Sequence, residues 1–174
     1  MENLLEILKY VLPSLIVFAT AYYILHTFLK NQTILQQIKY REKALDQVLP
    51  LRLQAYERIS LLIERISPTS MIPRVKVPQM NANELQVAML NNIRQEYEYN
   101  LTQQIYISSQ LWNLVTNLKE ETVNMIASIS ANLPEDASST EFSREIFQSM
   151  LNTKGGFPTN KILDVLKEEV KELY

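Results

Sequence analysis

The first strong pattern along the chain is an apolar run from Tyr10 to Leu29, YVLPSLIVFATAYYILHTFL, in which His26 is the one side chain able to carry charge near neutral pH. Twenty residues at 1.5 Å each match the length a helix needs to cross a hydrocarbon core of about 30 Å. Ten of the twenty are Leu, Ile, Val or Phe. Each favours the bilayer centre by about 0.3–0.6 kcal/mol, and Pro13, Ser14, Thr20, His26 and Thr27 offset only part of that sum. Leu4 and Leu5 carry the apolar character back towards Met1, with Glu6 and Lys9 spaced i,i+3 for mutual screening, so lipid contact is predicted over residues 4–29. Tyr10, Tyr22, Tyr23, His26 and Lys30 then fall where amphipathic rings and long cationic stems sit at headgroup depth.

Two other readings of this run compete. A secretory signal begins basic and ends at a small-x-small cleavage site, whereas this chain begins MENLLEIL and leaves the run through His-Thr-Phe-Leu-Lys. A buried helix of a soluble core is disfavoured by the length and uniformity of the run. His26 has no second titratable group beside it in the span, so it is read as an interfacial ring and not as a ligand or proton relay.

From Asn31 the apolar positions recur every seven residues. With Ile38 as the first position of a heptad, that position repeats at Leu45, Arg52, Ile59 and Ile66. The fourth holds Ile34, Arg41, Val48, Ala55 and Leu62, and the fifth Leu35, Glu42, Leu49, Tyr56 and Ile63. The phase survives Pro50, which predicts a kinked helical stalk over 31–66 and not a new direction. The stripe from Leu45 to Ile66 needs a partner surface, from later helices or from a second copy. Arg41 and Arg52 interrupt it, and are read as long stems covering apolar surface with their charge in water. The next segment, SPTSMIPRVKVPQM, has Pro68, Pro73 and Pro78 within eleven residues, which predicts a non-helical connector over 67–82.

Beyond it, Asn81, Asn83 and Glu84 signal a helix start, and Leu85, Met89, Ile93, Tyr97, Leu101 and Ile105 define one inward face running to about Tyr106. A serine at Ser108 or Ser109 caps a second, antiparallel helix whose face is Leu111, Leu114, Val115, Leu118, Met125, Ile126 and Ile129, ending at Leu133 and Pro134. Ser138 and Glu141 form a capping box for a third helix with Phe142, Ile146, Phe147, Met150 and Leu151. Gly155, Gly156 and Pro158 stop it, and Thr159 is expected to cap a last helix whose Ile162, Leu163, Leu166, Val170 and Leu173 face inward. No run alternates with period two, so the fold class is all-α. An N-terminal transmembrane helix (1–30) continues into the stalk, and a small cytoplasmic bundle (83–174) packs with the 51–66 helix.

Composition narrows the chemistry. Two glycines, no cysteine and one histidine remove the material for a glycine-rich phosphate loop, a thiol nucleophile, a cysteine-ligated metal or a Ser-His-Asp relay. No cofactor, metal or nucleic acid is expected. The net charge of −2 conceals a polarity: +5 over residues 30–76 and −6 over 77–174. Lys30, Lys39, Arg41 and Lys43 follow the span within fifteen residues while Lys9 alone precedes it, which predicts an inner-membrane single-pass protein with its N-terminus outside and its body cytoplasmic. That basic collar has the charge to rest on anionic headgroups. Asn31-Gln32-Thr33 and Asn100-Leu101-Thr102 match the glycosylation sequon but fall on the cytoplasmic side, so they are read as coincidence.

The densest polar and aromatic stretch, Arg94 to Tyr106, offers a partner-binding surface of Arg94, Tyr99, Asn100, Gln103, Gln104 and Tyr106, with Trp112 close by. The bland alternative is that these tyrosines cap the core with a wet hydroxyl.

The segments LPLRLQAYERISLLIERISP (49–68), EYEYNLTQQIYIS (96–108) with Trp112, and ILDVLKEEVKEL (162–173) resemble a family of small uncharacterised Bacteroidota proteins that share an N-terminal membrane helix. The resemblance implies a bacterial cytoplasmic membrane location and carries over no catalytic residue. Where that family has His-Asn-Leu-Ser-Gln-Gln, this chain has Tyr99-Asn100-Leu101-Thr102-Gln103-Gln104, which argues against proton transfer there. The function expected is a membrane-tethered interaction or scaffolding protein, not an enzyme, that binds a protein partner or a second copy. The alternatives are an accessory subunit of an inner-membrane complex, or an enzyme using Glu57, Glu64, Glu96 or Glu98 as a general base.

Overall fold

The computed structural model describes residues 2–152 and 156–173, and every regular element among them is a helix, with no strand. Six α-helices appear: α1 (Glu2–Ile66), α2 (Pro68–Val75), α3 (Ala82–Asn100), α4 (Ser109–Ala131), α5 (Ser139–Asn152) and α6 (Thr159–Lys171), with a 3-10 helix at Leu101–Ile105 after α3. The chain divides into two compact units, 1–48 and 49–174, at a boundary inside α1.

In the first unit the helix passes Pro13 unbroken, and the described side chains from Tyr10 to Val48 are exposed. Its hydroxyls turn back on their own helix. Ser14 Oγ donates to the Val11 carbonyl at 2.8 Å, Thr20 Oγ1 to those of Ile16 and Val17 at 3.0 and 2.9 Å, and Thr33 Oγ1 to that of Leu29 at 3.0 Å. The side chain of Leu45 lies outside the described residues.

The second unit is a helical bundle around one core. The heptad positions Ala55, Ile59, Leu62, Ile63 and Ile66 are buried with Met71, Leu85, Met89, Leu111, Leu118, Ile126 and Phe142. Later helices of the same chain therefore cover this half of the stripe, at about 1.5–3 kcal/mol for each large side chain withdrawn from water. The α3–α4 pair is antiparallel, since Gln86 meets Ser130 at one end while Tyr97 meets Thr116 and Trp112 at the other.

Both capping boxes form. Asn81 accepts from the Glu84 amide at 2.8 Å and Glu84 from that of Asn81 at 2.9 Å; Ser138 and Glu141 repeat the exchange at 3.2 and 2.9 Å. The two boxes are joined by an isolated antiparallel bridge, with the Ala82 amide donating to the Ala137 carbonyl and the Ser139 amide to that of Met80. The starts of α3 and α5 are thus held side by side.

Four expectations require correction. The segment over 67–82 contains the two-turn helix α2. Pro68 sits at its start, where no amide donor is needed, Pro73 removes a single hydrogen bond, and burial of Met71 and Ile72 holds the turn. The helix expected to run to Tyr106 ends at Asn100, and tightening into 3-10 geometry rotates the face. Leu101 and Ile105 consequently lie exposed, Ile105 at 73%, while Asn100 is buried at 5%. Thr159 does not cap α6, because Pro158 occupies the cap position and Thr159 is the first helical residue. In α5, Phe142 and Ile146 are buried, but Phe147 and Leu151 face solvent, Leu151 at 84%. Gly155 lies outside the described residues, and Gly156 takes φ of +77°, a conformation open to glycine.

Candidate functional site

The residues proposed as a partner surface do not share one face. Tyr99 is exposed with the Arg58 guanidinium 5.6 Å from its ring centroid. Arg94 and Gln104 are exposed, and Arg94 lines an open groove of about 450 Å³ between α3 and α4 with Leu90, Tyr97, Leu101 and Lys119. Trp112 spends one face on Tyr97, with ring centroids 5.3 Å apart, and the Lys119 ammonium lies 4.5 Å from the Tyr97 ring. Asn100 points inward, its amide donating to the Glu96 carbonyl at 2.8 Å, which removes it from any surface and from the sequon reading. Gln103 is half-buried and bonds the neighbouring Thr102 hydroxyl at 3.2 Å. Tyr106 is half-buried and contributes its carbonyl to a different cluster. Around the 3-10 turn the exposed residues are Tyr99, Leu101, Gln104 and Ile105.

That different cluster joins Arg52, Tyr56, Ser108 and Glu169. Arg52 Nε donates to the Tyr106 carbonyl at 3.2 Å and Arg52 Nη2 to the Tyr56 hydroxyl at 3.3 Å. The Tyr56 hydroxyl donates to Glu169 Oε2 at 3.1 Å, and the Ser108 hydroxyl donates to Glu169 Oε1. Ser108 Oγ also accepts from the Leu111 amide at 3.0 Å, capping α4. One chain of hydrogen bonds therefore ties α1, the start of α4 and α6 together. Burial drives the Tyr56 phenol above its ordinary pKa; Arg52 opposes this, and the Glu169 carboxylate adds to it. The cluster opens into a pocket of about 660 Å³ whose rim carries Asp164, Glu168 and Glu172. Arg52 is thus half-buried and hydrogen-bonded, which corrects its reading as a stem with a solvated head.

Of the carboxylates weighed as general bases, Glu57 and Glu64 share one open groove, while Glu96 and Glu98 lie elsewhere. Glu96 pairs with Arg65 at 2.9 Å and approaches Arg74 at 3.9 Å. Glu57 and Glu64 line an open groove of about 600 Å³ floored by Leu53, Leu61, Leu166 and Val170, and both are exposed, as is Glu98. Among the described residues no group of three His, Asp or Glu side chains converges as metal ligands would.

In the first unit, Tyr10, Tyr22, Tyr23, His26 and Lys30 are all exposed, and the Tyr22 and His26 rings stack one turn apart at 6.0 Å. The helix is long and apolar enough to cross a membrane, and none of its apolar window is buried by the rest of the chain.

Neither the curated proteins nor the solved structures compared with this chain include a match. A family model does match, over residues 2–173, which is nearly the entire sequence. Its extent takes in the apolar helix and the bundle alike, and on that basis the chain belongs to DUF7935, a family of unknown function.

Proposed function

We propose that this protein is a bacterial inner-membrane tether with a cytoplasmic helical body, working by binding other proteins and not by chemistry of its own. The observation that carries the reading is the surface of residues 10–29. Ten large aliphatic or Phe side chains there stand uncovered, and the hydroxyls of Ser14 and Thr20 are satisfied by their own backbone. Such a surface in water exposes far more contiguous apolar area than a soluble monomer carries, whereas in hydrocarbon it is matched to its solvent. The exposed Lys30, Lys39, Arg41 and Lys43 beyond its end support the orientation with the body inside. The accessory-subunit reading draws support from Ile34, Leu35, Ile38 and Val48, apolar heptad positions that are exposed.

The test is photocrosslinking in intact bacterial membranes with the reactive residue placed at position 17 or at position 104. The expectation is lipid adducts from position 17 and one discrete protein adduct from position 104. The protein adduct should disappear in an Ile105→Asp variant that keeps its membrane location. An adduct unaffected by Ile105→Asp removes the interaction surface, and absence of lipid adducts at position 17 removes the tether.

A further inference from the structure

We propose that α6 is a strap that opens from the bundle as a single unit, with the Glu169 carboxylate as its latch. The strap lies within 49–174 and is independent of the membrane-tether reading.

α6 is seated shallowly. Ile59 of α1, Leu85 of α3 and Leu111 of α4 are sealed from solvent, whereas Ile162, Leu163 and Leu166, the buried apolar residues of α6, each keep a little exposure. Open grooves run to either side of it: one of about 600 Å³ against Leu53 and Leu61, and one of about 660 Å³ against Arg52 and Gln110. A side chain that faces a void forgoes dispersion contacts there, so this helix loses less on leaving than a fully enclosed one would.

The closed position also carries a cost that opening relieves. Thr159, the first residue of α6, is 9% exposed, and its hydroxyl is sealed from water with no hydrogen-bond partner among the described residues. Such a group recovers its hydrogen bonds on reaching solvent. No side chain caps the helix at Pro158, and Gly156 ahead of it stands in open space, where the chain can turn without meeting a neighbour.

What opposes opening is concentrated in Glu169. Its Oε2 accepts from the Tyr56 hydroxyl of α1 at 3.1 Å, and its Oε1 accepts from the Ser108 hydroxyl at the cap of α4. Asp164 and Glu168 instead pair with Lys167 and Lys171 of their own helix, which fastens α6 to nothing else. One carboxylate bonded to two elements holds the helix by charge-assisted hydrogen bonds, and its release frees both at once. Opening uncovers the buried Tyr56 ring beside Leu166 and Val170, so α6 in its closed position keeps that surface from any partner.

The test is native-state hydrogen exchange on the full chain in phosphatidylcholine nanodiscs, comparing the amides of residues 162–171 with those of α4 around Leu118 as urea is raised. The α6 amides should share one protection factor, at least about ten-fold below that of α4, with a weaker urea dependence. Glu169→Gln should speed exchange of this block about ten-fold, the loss of one charge-assisted interaction. Thr159→Val should slow it about five-fold or more, because the closed state then lacks an unpaired hydroxyl. Protection in α6 equal to that in α4, protection graded inward from Leu173 as fraying would give, an unchanged rate in Glu169→Gln, or faster exchange in Thr159→Val would each overturn the proposal.

Discussion

Tyr56 is the residue on which the polar cluster turns, because its hydroxyl both accepts from Arg52 and donates to Glu169. Tyr56→Phe keeps the ring in the core and deletes both bonds, so it is expected to cost about 1–3 kcal/mol, read from urea unfolding of the full chain by Trp112 fluorescence. The pH dependence has a definite sign. In the unfolded chain the phenol ionises near pH 10, and in the folded chain burial holds its proton to higher pH. Its contribution to stability is therefore complete below about pH 10 and is lost as pH rises through the folded value, and Tyr56→Phe should flatten that alkaline decline. If the decline is the same in the variant, the phenol is not its source. Very little of this cluster is visible in the sequence. Arg52 and Tyr56 are one helical turn apart, but Glu169 lies 113 positions downstream, and nothing local distinguishes it from its solvated neighbours on α6.

At the scale of elements, the features that depend on neighbours in sequence are the readable ones. Asn81 with Glu84 and Ser138 with Glu141 announce the starts of α3 and α5, because a capping box is complete within four residues. Asn81→Ala should cost about 1 kcal/mol in the same unfolding measurement. The Ser138 amide and then its hydroxyl hold the Glu141 carboxyl below its usual pKa. That contribution is present above the unfolded value near pH 4.3 and is lost as pH falls through the folded one, so Glu141→Gln should reduce the slope of acid destabilisation. An unchanged acid limb would show that the box does not couple to folding. The elements that escaped reading are those decided by tertiary contact. Three prolines argued against α2, yet the gain from burying Met71 and Ile72 outweighs one missing amide. The 3-10 turn after Asn100 has no local signature, so the stripe that places Leu101 and Ile105 inward fails just where the helix changes pitch.

For the molecule as a whole, period alone separated the apolar run at 10–29 from the amphipathic helices that follow, and the core of 49–174 is assembled from the positions that period marks. Phe142, fully buried at its centre, should cost about 3–5 kcal/mol on truncation to Ala, measured by chemical denaturation. Which apolar positions would be left over was not legible: the heptad runs from Ile34 to Ile66 without a change of character, yet its latter half is buried by the chain's own helices while Ile34, Ile38 and Val48 stay exposed. The most direct measurement is extraction of bacterial membranes carrying the full chain with alkaline carbonate, beside a Val17→Arg, Leu25→Arg variant. The account predicts that the native chain remains in the membrane pellet and that the doubly charged variant moves to the supernatant. Recovery of the native chain in the detergent-free supernatant would contradict it.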